Sequence, residues 1–86
     1  MSRYRVVLSK SAEKELSKLP SRVVEKIVPA LTSLAKNPRP VGCKKLKGFD
    51  DLWRIRVGDY RAVYAIGDEI LLVEVRSVGH RKEVYE

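Results

Sequence analysis

Hydrophobic residues recur along this chain with two different periods, and the switch between them divides it. Tyr4, Val6 and Leu8 alternate with Arg3, Arg5 and Val7, which predicts a strand over roughly 3–8. Ser9 and Ser11 then offer N-caps to a short helix over roughly 11–18, with Ala12, Leu16 and Leu19 on one face. Pro20-Ser21 marks a break and a fresh helix start. From about 21 to 36, Val23, Val24, Ile27, Leu31, Leu34 and Ala35 return every three or four positions, the spacing of a single buried stripe. Pro29 falls inside this helix and is expected to kink it. Asn37-Pro38-Arg39-Pro40 ends it, and a loop carrying Lys44, Lys45, Lys47 and Gly48 follows. Beyond residue 50 the period returns to two. Leu52 to Val57, Tyr60 to Ile66 and Ile70 to Val78 read as strands, with turn signals at Gly58-Asp59 and Gly67-Asp68. The order β-α-α-β-β-β predicts an α+β domain: a small, mainly antiparallel sheet with an N-terminal helical hairpin on one face.

Strand alternation then sorts the side chains. With Gly58 and Asp59 as the loop, Val57 pairs with Tyr60, Arg56 with Arg61, Ile55 with Ala62, Arg54 with Val63 and Trp53 with Tyr64. Trp53, Ile55, Val57, Tyr60, Ala62 and Tyr64 form an apolar face for the helices. Arg54, Arg56 and Arg61 project from the other, and a one-residue slip would bury them. Like charges directly opposite each other are destabilising. Continuing across a Gly67-Asp68 turn, Glu74 falls opposite Arg61 as a single counter-charge, and Val63 and Leu72 make part of that face apolar. A guanidinium keeps its charge and matches phosphate bidentately, so the cluster is a candidate phosphate cradle. Edge protection by charge is the competing reading, but mixed signs and lysine would serve it better.

Composition narrows the setting. The 86 residues allow one domain, 1–86. The formal charge of +7 divides into +6 over residues 1–43 (nine basic, three acidic) and +1 over 44–86 (nine basic, eight acidic). A basic balance points to an anionic partner, nucleic acid first. No apolar run approaches the ~20 residues of a membrane span, and Met1-Ser2-Arg3-Tyr4-Arg5 lacks a signal-peptide core. One cysteine, Cys43, and one histidine, His80, do not make a disulfide or a zinc site. The expectation is a reduced, cytoplasmic domain without metal or cofactor and with no membrane partner. His80 is the one side chain with an intrinsic pKa near 7 and stands as a reserve acid or base. Arg81, Lys82, His80 and Tyr85 leave the last strand near the arginine end of the hairpin. Lys44, Lys45 and Lys47 are candidate contacts to a nucleic-acid backbone.

The runs Lys45-Leu46-Lys47-Gly48, Leu52-Trp53-Arg54-Ile55-Arg56-Val57-Gly58-Asp59-Tyr60-Arg61-Ala62-Val63-Tyr64 and Val78-Gly79-His80-Arg81-Lys82-Glu83-Val84-Tyr85 resemble the RelE toxins of the RelE/ParE superfamily. That resemblance implies a RelE-like microbial RNase fold. It implies an mRNA endoribonuclease acting in the ribosomal A site, which is held in check by a cognate antitoxin through which the complex binds operator DNA. The family's catalytic positions correspond to Arg54, Arg56, Arg61, Arg81 and Tyr85. Lys44, Lys45, Lys47, His80 and Lys82 are then RNA-binding candidates. Well-studied members can carry lysine where this chain has Arg54 and Arg56, and some continue into a further C-terminal helix. The rivals are a ParE-like inhibitor of DNA gyrase and a non-catalytic nucleic-acid- or antitoxin-binding module.

Overall fold

A computed structural model describes residues 3–48 and 51–80. Strand β1 (Arg5–Leu8) leads into helices α1 (Lys10–Ser17) and α2 (Ser21–Ser33). Strands β2 (Lys44–Lys45), β3 (Leu52–Val57), β4 (Tyr60–Gly67) and β5 (Leu72–His80) follow. They form one sheet in the order β1-β5-β4-β3-β2. β1 runs parallel to β5 and the other neighbours are antiparallel. Among the described residues, no helix is long and apolar enough to cross a membrane.

Helix α1 begins where a side chain satisfies one of its first N–H groups, whereas α2 starts after Pro20 with no side-chain cap. Of the two serines expected at the start of α1, Ser9 is the cap: its Oγ accepts from the Ala12 N–H at 3.0 Å. α2 runs through Pro29 without interruption. The ring removes a donor aimed at the Glu25 carbonyl, and packing of Ile27 and Leu31 on the sheet outweighs that loss. The helical stripe of Ala12, Ile27, Leu31 and Leu34 meets Ile55, Ala62, Tyr64, Ile66, Val73, Val75 and Val78 from the sheet. Each large aliphatic side chain buried there contributes about 1.5–3 kcal/mol. Tyr64 is wholly buried, and its hydroxyl donates to the Pro38 carbonyl at 2.7 Å, in the loop after α2. Burial pushes its phenol pKa up.

The β3–β4 register is the one expected, from Val57↔Tyr60 to Trp53↔Tyr64. Gly58 has φ +62° and leads the two-residue turn, the glycine-first arrangement of a type II′ hairpin. The second turn differs from expectation. Gly67 stays in β4 and pairs with Leu72, so Asp68–Leu71 form the connection, with Leu71 at φ +52°. A bulge then makes Arg76 an extra residue, because Tyr64 faces Val75 while Val63 faces Ser77. Together these shift the β4–β5 pairing. Arg61 faces Gly79 and Glu74 faces Ala65. Glu74 therefore does not counter Arg61; it pairs with Arg76 at 2.5 Å. The sequence predicts loop at β2, because two lysines carry no alternation; pairing with β3 makes it a short strand.

An ionic knot closes the sheet end farthest from the hairpin turn. Arg39 grips Asp68 bidentately (Nη1–Oδ1 3.1 Å, Nη2–Oδ2 2.9 Å), and the Tyr4 hydroxyl donates to Oδ1 at 2.7 Å. The Arg39 guanidinium also lies 4.9 Å from the Trp53 ring centroid, a cation–π contact. The Arg39 hydrogen bonds, then that of Tyr4, lower the Asp68 pKa from 3.8 to about 2. A depressed carboxylate contributes stability above its unfolded pKa and loses it as pH falls through the folded one. Between pH 3.8 and about 2, the wild type is expected to lose urea resistance faster than Asp68→Asn; parallel curves for the two would show that the knot does not stabilise the fold.

Candidate phosphate-binding face

The helices cover one side of the sheet and leave the other to the arginines. Trp53, Ile55, Val57, Tyr60, Ala62 and Tyr64 all lie in or against the helix-packed core. Residues alternating with them must emerge on the opposite face. Arg54 and Arg56 stand two residues apart on β3, and Arg61 lies directly across from Arg56. Arg56↔Arg61 is the second pair from the turn, a non-hydrogen-bonded position where Cα atoms sit about 4.5 Å apart. The pair is therefore held at close range by the backbone itself. β2 adds a fourth cation: Lys44 pairs with Arg54 and so shares its face, whereas Lys45 pairs with Trp53 and shares the other.

The face is partly apolar. Leu46 and Val63 are buried against each other with Leu52 beside them, a second small cluster separate from the main core. Arg54 lies in this environment and is only 3% exposed. Arg61 is half-buried and Arg56 exposed. The Nε atoms of Arg54 and Arg61 are shut off from solvent. Burial, and secondly repulsion from Arg56, lower the Arg54 pKa. The side chain begins from so high a value that it stays charged at neutral pH. A charge fixed in a low-dielectric seat acts on an incoming anion more strongly than one in water.

The other candidate residues divide. His80 is the partner of Tyr60, so it stands on the helix side of the sheet, away from the arginines. The two rings meet edge to face, with centroids 5.5 Å apart. Lys47 is exposed beyond β2. Arg81, Lys82 and Tyr85 lie outside the described residues. Cys43 is a free thiol packed against the core. Among the described residues, no group of three or more histidine, cysteine or acidic side chains is placed to hold a metal ion. Sequence reasoning missed Glu15. Its Oε1 accepts from Ser77 Oγ at 3.2 Å and from the Val78 N–H at 3.0 Å, fastening α1 to the strand beyond the bulge. A glutamate on an amphipathic helix gives no signal of such a contact.

Fold and face together define a small cationic α+β domain whose open sheet surface concentrates guanidinium groups. Residues 6–85 match the family model described as the ParE toxin of type II toxin–antitoxin system, parDE. The mRNA interferase toxin RelE of Escherichia coli K12 is 37% identical over 95% of this chain and 90% of its own length. Toxin RelG of Mycobacterium tuberculosis is 32% identical over 95% of each. Among solved structures, the RelBE2 toxin–antitoxin complex of Mycobacterium tuberculosis matches with a TM-score of 0.83 and 30% identity, over 96% of this chain and 97% of that one. The archaeal RelE–RelB complex of Pyrococcus horikoshii matches at 0.81 and 28%, over 98% of this chain and all of the other. The chain belongs to the RelE/ParE family of toxins from type II toxin–antitoxin systems, as its sequence resemblance implied.

Removing one member of the arginine pair relieves a cross-strand repulsion. Arg56→Gln is expected to raise stability by about 0.2–1 kcal/mol, more in dilute salt than in concentrated salt. Urea midpoints at the two salt levels test this, and a destabilised variant would mean that Arg56 serves the fold.

Proposed function

We propose that this toxin is a ribosome-dependent mRNA endoribonuclease that cuts translated message in the A site. The observation that carries the reading is the row of Arg54, Arg56 and Arg61 on the helix-free face, with Arg56 and Arg61 held directly opposite each other. The name of the Escherichia coli relative, an mRNA interferase, agrees with it. The ribose 2′-hydroxyl attacks the adjacent phosphorus, the 5′-oxygen leaves with a proton, and a 2′,3′-cyclic phosphate and a free 5′-hydroxyl result. Negative charge gathers on the non-bridging oxygens as the bond changes hands. Fixed cations already in place stabilise it without reorganising. Arg61 and Arg81 bind the phosphate. Arg54 and Arg56 supply field, and also favour ionisation of the 2′-hydroxyl; neither serves as a conventional base, since a guanidinium does not give up its proton. Tyr85 stacks on a base or shares a proton. Lys44, Lys47 and Lys82 hold the RNA backbone, and Lys45, which shares the Trp53 face, stands away from it.

No carboxylate or imidazole stands in the Arg56–Arg61–Gly79 row among the described residues. The described part of the row thus brings charge, and the ribosome supplies the substrate geometry. A cognate antitoxin silences the toxin in this reading. The solved toxin–antitoxin complexes of similar chains support such a partner, and the complex would reach operator DNA through it. Gyrase inhibition is the second reading, kept by the parDE description of the family model. Translation arrest with supercoiling intact separates the two.

Primer extension on translated mRNAs, with the chain expressed in cells, tests the mechanism. Codon-phased cuts are expected for the wild type, and Arg61→Ala and Arg81→Ala are each expected to lower them about 10²–10³-fold, by analogy with loss of one oxyanion donor. Cuts of equal strength in all three would remove both arginines from the reaction.

A further inference from the structure

A cavity of about 440 Å³ opens on the helix side of the sheet, lined by Glu15, Lys18, Tyr60, Val78, Gly79 and His80 among others. That size falls within the usual range of small-ligand sites, about 300–1,000 Å³. Its position is set by the sheet. Tyr60↔His80 and Arg61↔Gly79 are consecutive pairs at the same end, so the cavity and the arginine row lie one residue apart on opposite faces. Gly79 belongs to both, and a bound strand there meets backbone instead of a side chain. The wall carries the Tyr60–His80 ring pair, its rings inclined at 80°, and Lys18 stands in the lining. Both hydrogen bonds that Glu15 makes to β5 use Oε1. An ionised carboxylate has about four acceptor sites and no donor, so beyond these two bonds the group has capacity to accept from a ligand's donors.

We propose that this cavity receives one unstacked RNA base whose edge donates hydrogen bonds, guanine foremost. Rings that stack, a carboxylate that only accepts and a cation for the backbone are how proteins read a splayed single-stranded base. Guanine fits best because its N1–H and N2 donors sit side by side. Uracil, which presents two carbonyl oxygens, fits worst. The inference rests on the nuclease reading for its role: a message with its scissile phosphate at Arg61 passes over the sheet end and places a neighbouring base against Tyr60. Glu15 is then a specificity residue, and the cavity a source of codon preference.

The test titrates the purified full chain with guanosine, adenosine, cytidine and uridine 5′-monophosphates and follows the backbone amides of residues 77–80 by NMR. Guanosine monophosphate is expected to shift them with an affinity about tenfold above that of the uridine nucleotide, the worth of one good polar contact. Glu15→Gln keeps an oxygen for the Val78 N–H but turns the other position into a donor. It is expected to erase the difference, with amide dispersion confirming the fold. Tyr60→Ala is expected to weaken all four alike, and Tyr60→Phe to bind as the wild type does. Equal affinity for all four nucleotides, or shifts confined to Arg54–Arg61, would overturn the proposal. So would a Glu15→Gln chain that loses antitoxin binding while its nucleotide preference stays. Because binding is read without cleavage, codon-phased cutting with no nucleotide preference removes this site alone. Nucleotide preference without cutting removes only the nuclease reading.

Discussion

The structure turns on a conflict between hydrophobic burial and charge repulsion in one hairpin. Burying Trp53, Ile55, Val57, Tyr60, Ala62 and Tyr64 under the helices fixes the register, because side chains along a strand change face at every residue. The same register sets Arg56 directly opposite Arg61 and leaves Arg54 two residues away. Repulsion across one such pair amounts to about 0.2–1 kcal/mol. Burying one large apolar side chain contributes about 1.5–3 kcal/mol. Packing therefore wins, and the arginines are held together by the register that the core on the other face imposes. Natural proteins accept this kind of strain where a site needs it.

The two faces consequently have separate tasks. On the helix side, Ile27, Leu31 and Leu34 meet the apolar halves of β3, β4 and β5. On the other, the Leu46–Val63 cluster gives Arg54 a seat of low polarity. A cation in such a seat is pre-organised: an arriving phosphate meets a field already in place. This suits a reaction whose difficulty is accumulating negative charge.

Contacts distant in sequence hold the ends of this arrangement. Arg39, between two prolines, reaches Asp68 and Trp53, and Asp68 also takes the Tyr4 hydroxyl. The knot joins the end of α2, the β4–β5 turn and the N-terminal strand. At the opposite end Glu15 ties α1 to β5 just beyond the bulge. The bulge matters because it moves the last four residues of β5 by one place relative to β4, setting Gly79 beside Arg61 and His80 beside Tyr60.

The amino-acid sequence by itself determined the helical hairpin, the β3–β4 pairing and the segregation of Arg54, Arg56 and Arg61, since each follows from local periodicity and a glycine-led turn. The apolar stripe of α2 belongs with them, whereas the structure chose Ser9 over Ser11 as the cap of α1. The tertiary structure alone decided the parallel seating of β1 on β5, the brief β2 that brings Lys44 to the arginine face, and the four-residue turn at Asp68–Leu71. It also decided that Glu74 serves Arg76 rather than Arg61, and that His80 stands across the sheet from the arginines. The reason is physical. Alternation sets which side a residue takes within its own strand. A bulge, a longer turn or a partner strand far away in sequence resets the pairing between strands, and no local pattern carries that information.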